Sequence, residues 1–200
     1  MRDYVFGYGS LAMGGPVPSR RRRREGFVAE LRGVRRRWGV AMDNAVDIPG
    51  YKCYLEPGGA RPAVSVCFLD IEPDSAPGAA VNGVCLPVEA AGLAALDRRE
   101  RNYERVEVTD RILPEARGLR VWAYRGSAAG RARFATAVHA GRAVIHAEYL
   151  RMVRAAFRAL GPEEWAACAA SLHPRGVPVA ELVRRELPPA AAAPIIPSRR

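Results

Sequence analysis

The run Tyr4-Val5-Phe6-Gly7-Tyr8-Gly9-Ser10-Leu11-Ala12 decides how the rest of the chain is read. Its apolar residues stop at Gly9-Ser10, the pattern of a short strand entering a turn. The same residues satisfy G-x-G-x-x-[GA], the loop that opens a helix beneath a bound dinucleotide. The next residues of the chain contradict that reading. Gly14, Gly15, Pro16 and Pro18 would break any helix that began here. Where an acidic residue should grip a ribose, the chain has Arg20 to Arg24, then Glu25 and Glu30 with no clear strand end. The alternative is a turn at Gly9, Ser10 and Leu11 whose backbone N–H groups face a concavity and form an anion site for a small carboxylate.

Outward from that run, Gly14 to Glu25 has the composition of an exposed loop. Val28 to Met42 reads as two short strands with a bend, broken at Gly33 and Gly39. Pro62 to Ile71 and Val81 to Val88 are apolar strands bounded by Pro or Gly. The period then changes. Val88 to Arg101 fits a helix, with Glu89 in its first turn. Glu104 to Leu113 alternates as a half-exposed strand, and Leu119 to Tyr124 is its expected antiparallel partner. Helices are expected at Ala147 to Leu160, Pro162 to Ser171 and Val179 to Leu187. The fold class is therefore α+β: a small mixed β-barrel or strongly curved sheet with one embedded helix and helices gathered at the C-terminus. Residues 1–187 form a single domain in this reading, and the Pro- and Ala-rich residues 188–200 a disordered tail.

At 200 residues and 49 % hydrophobic, the chain is long enough to bury a core, which excludes a disordered polymer. No stretch approaches the roughly 18–20 apolar residues of a membrane span, and the start lacks an apolar leader, so a soluble cytoplasmic protein is expected. The four cysteines, Cys53, Cys67, Cys85 and Cys168, form no C-x-x-C pair and have no histidine cluster beside them. Buried free thiols are expected rather than a metal site or a disulfide framework. A net charge of +10 raises nucleic acid as a partner. Lys52, however, is the only lysine in a chain crowded with Arg, Ala, Gly and Pro, a skew typical of G+C-rich coding. The runs Arg20–Arg24 and Arg35–Arg37 could hold phosphates, but no aromatic residues interleave them, and solvated arginines are the preferred reading.

Tyr8-Gly9-Ser10-Leu11 after a strand, followed by Leu96-Asp97-Arg98-Arg99-Glu100 and Tyr103, resembles the γ-glutamylcyclotransferase-like group, which includes ChaC-type and AIG2-like proteins. Ile145-His146-Ala147-Glu148-Tyr149 falls where that group often has a tyrosine opening a C-terminal helix. The resemblance spans Tyr4 to Leu160 and implies a cofactor-free enzyme releasing 5-oxoproline from a small-molecule γ-glutamyl amide, with the substrate α-amine as nucleophile. Glu100 would be the general base and acid. The like charge of Asp97 would favour its protonated form, and Arg98, Arg99 and Arg101 the ionised form if they pointed inward. The Gly9, Ser10 and Leu11 amides would hold the substrate α-carboxylate, with Tyr8, Tyr103 and Tyr149 donating hydroxyl bonds. Two features depart from the group. Members often carry glycine after the catalytic glutamate, where this chain has Arg101-Asn102, and the polyarginine run matches no pattern. A rival reading keeps the fold without turnover, as a metabolite- or partner-binding protein. The amine half could be an amino acid, a peptide such as glutathione, an amine or a biosynthetic intermediate.

Overall fold

The computed structural model describes residues 1–13 and 26–189, so the Arg20–Arg24 run and the tail from residue 190 lie outside the described residues. Strand β1 (Arg2–Gly7) is the pivot of the architecture. It pairs antiparallel with β6 (Ala80–Val88) and parallel with β9 (Leu119–Gly126). Around it a curled six-stranded sheet runs β7-β9-β1-β6-β2-β8, with β2 at Phe27–Arg32, β7 at Tyr103–Glu107 and β8 at Ile112–Leu113. The continuous apolar run of β1 follows from burial on both faces. Tyr4 and Phe6 enter the main core, whereas Val5 joins a second cluster with Val84, Leu86, Leu93 and Leu96 beneath helix α1 (Ala90–Arg99).

A second sheet, β11-β10-β5-β3, carries the other half of the main core. Its long hairpin is β3 (Val34–Asp43) with β5 (Ser65–Pro73), and the register slips between Trp38 and Val40, at Gly39. Parallel strand β10 (Ala143–His146) runs directly into helix α3 (Ala147–Leu160), whose Tyr149, Leu150, Val153, Ala156 and Phe157 are buried at helical spacing. Helix α2 (Ala128–His139) lies against β3, and α4 (Pro162–Ala169) follows α3 with Pro162 in its first turn. A two-stranded ribbon joins β4 (Lys52–Leu55) to β12 (Val183–Glu186).

The α+β class and the curved sheet agree with the sequence reading, but several elements differ. Glu104 to Leu113 is not one strand. The chain leaves β7, makes a 3-10 turn at Thr109–Arg111, and pairs β8 with β2 at the opposite edge of the sheet. Arg111 fixes that detour by donating to the carbonyls of Arg32 (2.9 and 2.6 Å) and Gly33 (3.1 Å). Val179 to Leu187 is not a helix. Strand β11 (Val179–Ala180) pairs with β10 and β12 with β4, because open strand edges elsewhere in the fold supply the backbone bonds. Elements β4, β10 and α2 have no counterpart in the sequence pattern; α2 is Ala-rich without a strong apolar stripe and is capped by Ser127, which accepts from the Gly130 amide at 3.1 Å. The expected tail is tied at its start, where Gly50 donates to the Pro188 carbonyl at 2.9 Å. All four cysteines are buried free thiols. Arg36 is no surface cation: it stacks on Phe157 at 4.7 Å and hydrogen-bonds Asn82 and Ser171, while Arg35 and Arg37 pair with Glu72. No helix among the described residues is long and apolar enough to cross a membrane.

Candidate functional site

Where β1 ends, the chain bends sharply into a 3-10 turn at Ser10–Met13, closed by Ala12 donating to the Gly9 carbonyl at 3.0 Å. Gly7 permits the bend, since a Cβ there would lie 2.7 Å from the Ala12 nitrogen. A Cβ on Gly9 would stand 3.1 Å from the Tyr149 hydroxyl, so this glycine lets the α3 tyrosine close over the turn. The first N–H groups of such a turn have no acceptor within it.

Glu100 caps the C-terminal end of α1: its amide donates to the Leu96 carbonyl at 2.8 Å, and its carbonyl accepts from Tyr103 at 2.9 Å. Its side chain is 15 % exposed and lies 3.3 Å from the Arg99 guanidinium. Asp97 is engaged elsewhere, accepting from the Tyr124 hydroxyl at 2.7 Å and pairing with Arg105 at 3.0 Å. Two residues after Glu100, beyond Arg101, which stands where members of the group often have glycine, Asn102 is buried and binds three parts of the fold. Its side-chain oxygen accepts from Arg133 at 2.7 Å, its amide faces the Tyr51 hydroxyl at 3.4 Å, and its carbonyl accepts from Ser127.

Glu100 and the turn line one narrow cleft, together with Leu69 and four tyrosines: Tyr8, Tyr103, Tyr124 and Tyr149. Every residue singled out from the sequence, Tyr8, Gly9, Ser10, Leu11, Glu100, Tyr103 and Tyr149, is on that lining. Leu69 and Tyr124 are the lining residues that sequence reasoning missed. Tyr124 ends the strand expected to pair with Glu104 to Leu113, and the alternation that sets it on the face opposite Ala123, where it is buried in the second cluster, was the available signal. Glu100 is the one carboxylate on the lining among the described residues.

The hydroxyls of Tyr8 and Tyr103 are engaged within the fold. Tyr8 donates to the Tyr124 carbonyl at 2.6 Å and Tyr103 to the Leu69 carbonyl at 2.7 Å. Both protons are thus committed to main chain, and what these hydroxyls offer the cleft is lone pairs. Burial pushes both phenols well above their ordinary range, and nearby acidic groups including Glu100 and Asp70 add to the effect. Burial raises Tyr149 and Tyr124 as well, so all four rings stay neutral at physiological pH. Tyr149 is held by edge contacts with Phe68 (5.3 Å) and Trp38 (6.0 Å). His146 does not point to catalysis: its Nε2 bonds the Leu182 carbonyl at 2.8 Å and burial lowers its pKa.

A wider cleft shares Ser10, Glu100, Tyr103 and Tyr149 with the first. Its walls bring in Tyr51, Lys52, Tyr54 and Phe68 from β4, the residue before it and β5, and Arg184 from β12.

A family model described as gamma-glutamyl cyclotransferase, AIG2-like, matches residues 5–144. No curated protein matches the chain. YkqA from Bacillus subtilis superposes with a TM-score of 0.52 at 15 % identity, over 90 % of this chain and 56 % of its own. The present chain therefore spans little more than half the length of YkqA, and at that identity the likeness concerns the fold alone. A structure described as a gamma-glutamyl cyclotransferase gives 0.48 at 16 % identity, over 84 % of this chain and 86 % of that one. The uncharacterized protein loc79017 from Homo sapiens gives 0.45 at 17 % identity over the same shares, 84 % and 86 %.

Proposed function

The chain belongs to the gamma-glutamyl cyclotransferase, AIG2-like family, and from that membership we propose that it converts a γ-glutamyl amide to 5-oxoproline and a free amine. The observation that supports this most directly is the lining of the small cleft, where a single carboxylate, Glu100, stands among neutral phenols and opposite the Gly9-Ser10-Leu11 turn. The turn amides receive the substrate α-carboxylate. The hydroxyl lone pairs of Tyr8 and Tyr103 accept from the α-ammonium and orient it toward its own side-chain carbonyl.

Glu100 then takes a proton from that ammonium. The freed nitrogen attacks the γ-carbonyl carbon and forms the ring C–N bond. The bond from that carbon to the departing nitrogen breaks as Glu100 returns the proton to it, and the second proton, lost from the ring nitrogen as the lactam forms, passes by the same carboxylate to the released amine. No water is consumed, and the positive charge that entered on the α-ammonium leaves on the amine as its ammonium form. Because nucleophile and electrophile belong to one molecule, holding the folded conformer supplies much of the rate, with effective molarities of about 10⁵ M or more as precedent. The remaining task is proton transfer, which contributes on the order of 10²–10⁴-fold.

The test is incubation with a panel of γ-glutamyl amides while 5-oxoproline is measured. Wild-type protein should form it, and folded Glu100→Gln should lose about 10²–10⁴-fold in rate while still binding substrate. Substantial turnover by that variant overturns the role of Glu100. Binding without turnover by the wild type would leave a γ-glutamyl-binding protein in this fold.

A further inference from the structure

The wider cleft holds a charge that the cyclisation chemistry does not use. Lys52 projects from β4 with its ammonium 4.6 Å from the centre of the Phe68 ring and 5.1 Å from that of Tyr51. The other cations on these walls are matched: Arg99 pairs with Glu100 and Arg184 with Glu186. Glu148, also on the lining, is held by Arg151 at 2.9 Å. Among the described residues no carboxylate lies within ion-pair distance of the Lys52 ammonium; Glu100 and its cross-strand neighbour Glu186 act on it only from farther off, and its aromatic neighbours replace only part of a hydration shell. An unpaired cation on an apolar, partly enclosed wall is a costly arrangement unless something anionic meets it.

Its position says what that would be. Both clefts meet at Glu100, Ser10, Tyr103 and Tyr149. With the glutamyl group in the small cleft, the departing nitrogen lies at Glu100 and the rest of the amine extends into the wide one. We propose that Lys52 forms an anion subsite for the amine half and selects γ-glutamyl compounds whose amine carries a carboxylate, as in amino acids and peptides, over neutral or cationic amines. This rests on the cyclotransferase reading of the neighbouring cleft. Tyr51, Tyr54, Phe68 and Met152 supply apolar surface for the amine's side chain on the same walls. Burial lowers the Lys52 ammonium to about 8, which leaves it charged at neutral pH. A second lysine cannot substitute for it, because the chain has none.

Two compounds differing only at the distal group test this: γ-L-glutamyl-L-alanine and γ-L-glutamyl-L-alaninamide. In the wild type, kcat/KM for the acid should exceed that for the amide by about tenfold, the scale of one hydrogen bond to a charged group. Lys52→Met should bring the ratio close to one and Lys52→Arg should restore it. Equal values for the two compounds in the wild type overturn the proposal, as does a Lys52→Met variant that keeps the full ratio. Calorimetric binding of both compounds to Glu100→Gln separates the two readings. If neither compound yields 5-oxoproline yet the acid binds about tenfold tighter in a Lys52-dependent way, the cyclotransferase reading falls and the subsite stands. Binding without preference, or no binding, overturns the subsite.

Discussion

At Gly9 the distance from an added methyl to the Tyr149 hydroxyl, 3.1 Å, is shorter than ordinary packing tolerates. Gly9→Ala should therefore push Tyr149 or the turn aside while the backbone, which needs no positive φ there, stays folded. Because small displacements at a reacting centre are amplified, the expected loss is about tenfold to a hundredfold in kcat/KM with little change in thermal melting. Steady-state rates and a melting curve on the same sample check both halves. The residues of the small cleft could be named from the sequence because the resemblance to the family rests on short contiguous motifs: Tyr8 to Leu11 after the first strand, Leu96 to Glu100 with Tyr103 at the end of a helix, and Tyr149 near the start of another. Lys52 could not. It stands out in the sequence as the only lysine, yet its surroundings come from β5, β12 and α1, which no local pattern connects to it. The bonds that engage the Tyr8 and Tyr103 hydroxyls were hidden for the same reason: their acceptors, on Tyr124 and Leu69, are main-chain atoms far along the chain.

Between elements, Asp70 of β5 is the principal tie beneath the site. It is fully buried and accepts from Gly126 at 2.6 Å, from Ile71 at 2.7 Å and from Arg131 of α2 at 2.7 Å. These bonds join the second sheet to the end of β9, the strand that also carries Tyr124. Asp70→Asn keeps the shape but aims an amide N–H₂ at one of these donors and removes the charge facing Arg131. Unfolding in urea should show a loss of about 3 kcal/mol, the lower end for breaking a buried ion pair, since Arg131 retains some access to water. Elements whose own sequence marks their burial, as continuous apolar runs in β1, β5 and β6 and as helical spacing in α1 and α3, are readable. Elements that exist because a neighbour offers an open edge, such as β8, β11 and β12, are not. Their residues carry helix-compatible or alternating patterns that point to other elements, and only the edge decides between them.

Across the whole molecule, the first strand is also where acid should be felt. Asp3 accepts two bonds from Arg120, at 2.6 and 3.0 Å, and one from Trp122 at 2.8 Å, linking β1 to β9. Those bonds, Arg120 foremost, hold its carboxyl at about 2, below the 3.8 of an unperturbed aspartate. A depressed folded-state value contributes stability at pH above 3.8 that is lost as pH falls toward 2. Urea midpoints taken through that interval should fall for the wild type, and Asp3→Asn should flatten this part of the profile by roughly 1–2 kcal/mol. A profile unchanged by the substitution would show that the pair does not bear on folding. The sealed thiols have a practical side for such work. Cys67 and Cys85 are pushed up to about 12 by burial, Cys168 is raised as well, and Cys53 is enclosed too. A maleimide dye or spin label would thus find little native sulfur to modify, so a cysteine engineered on the outside could be tagged selectively without first stripping out the natural four.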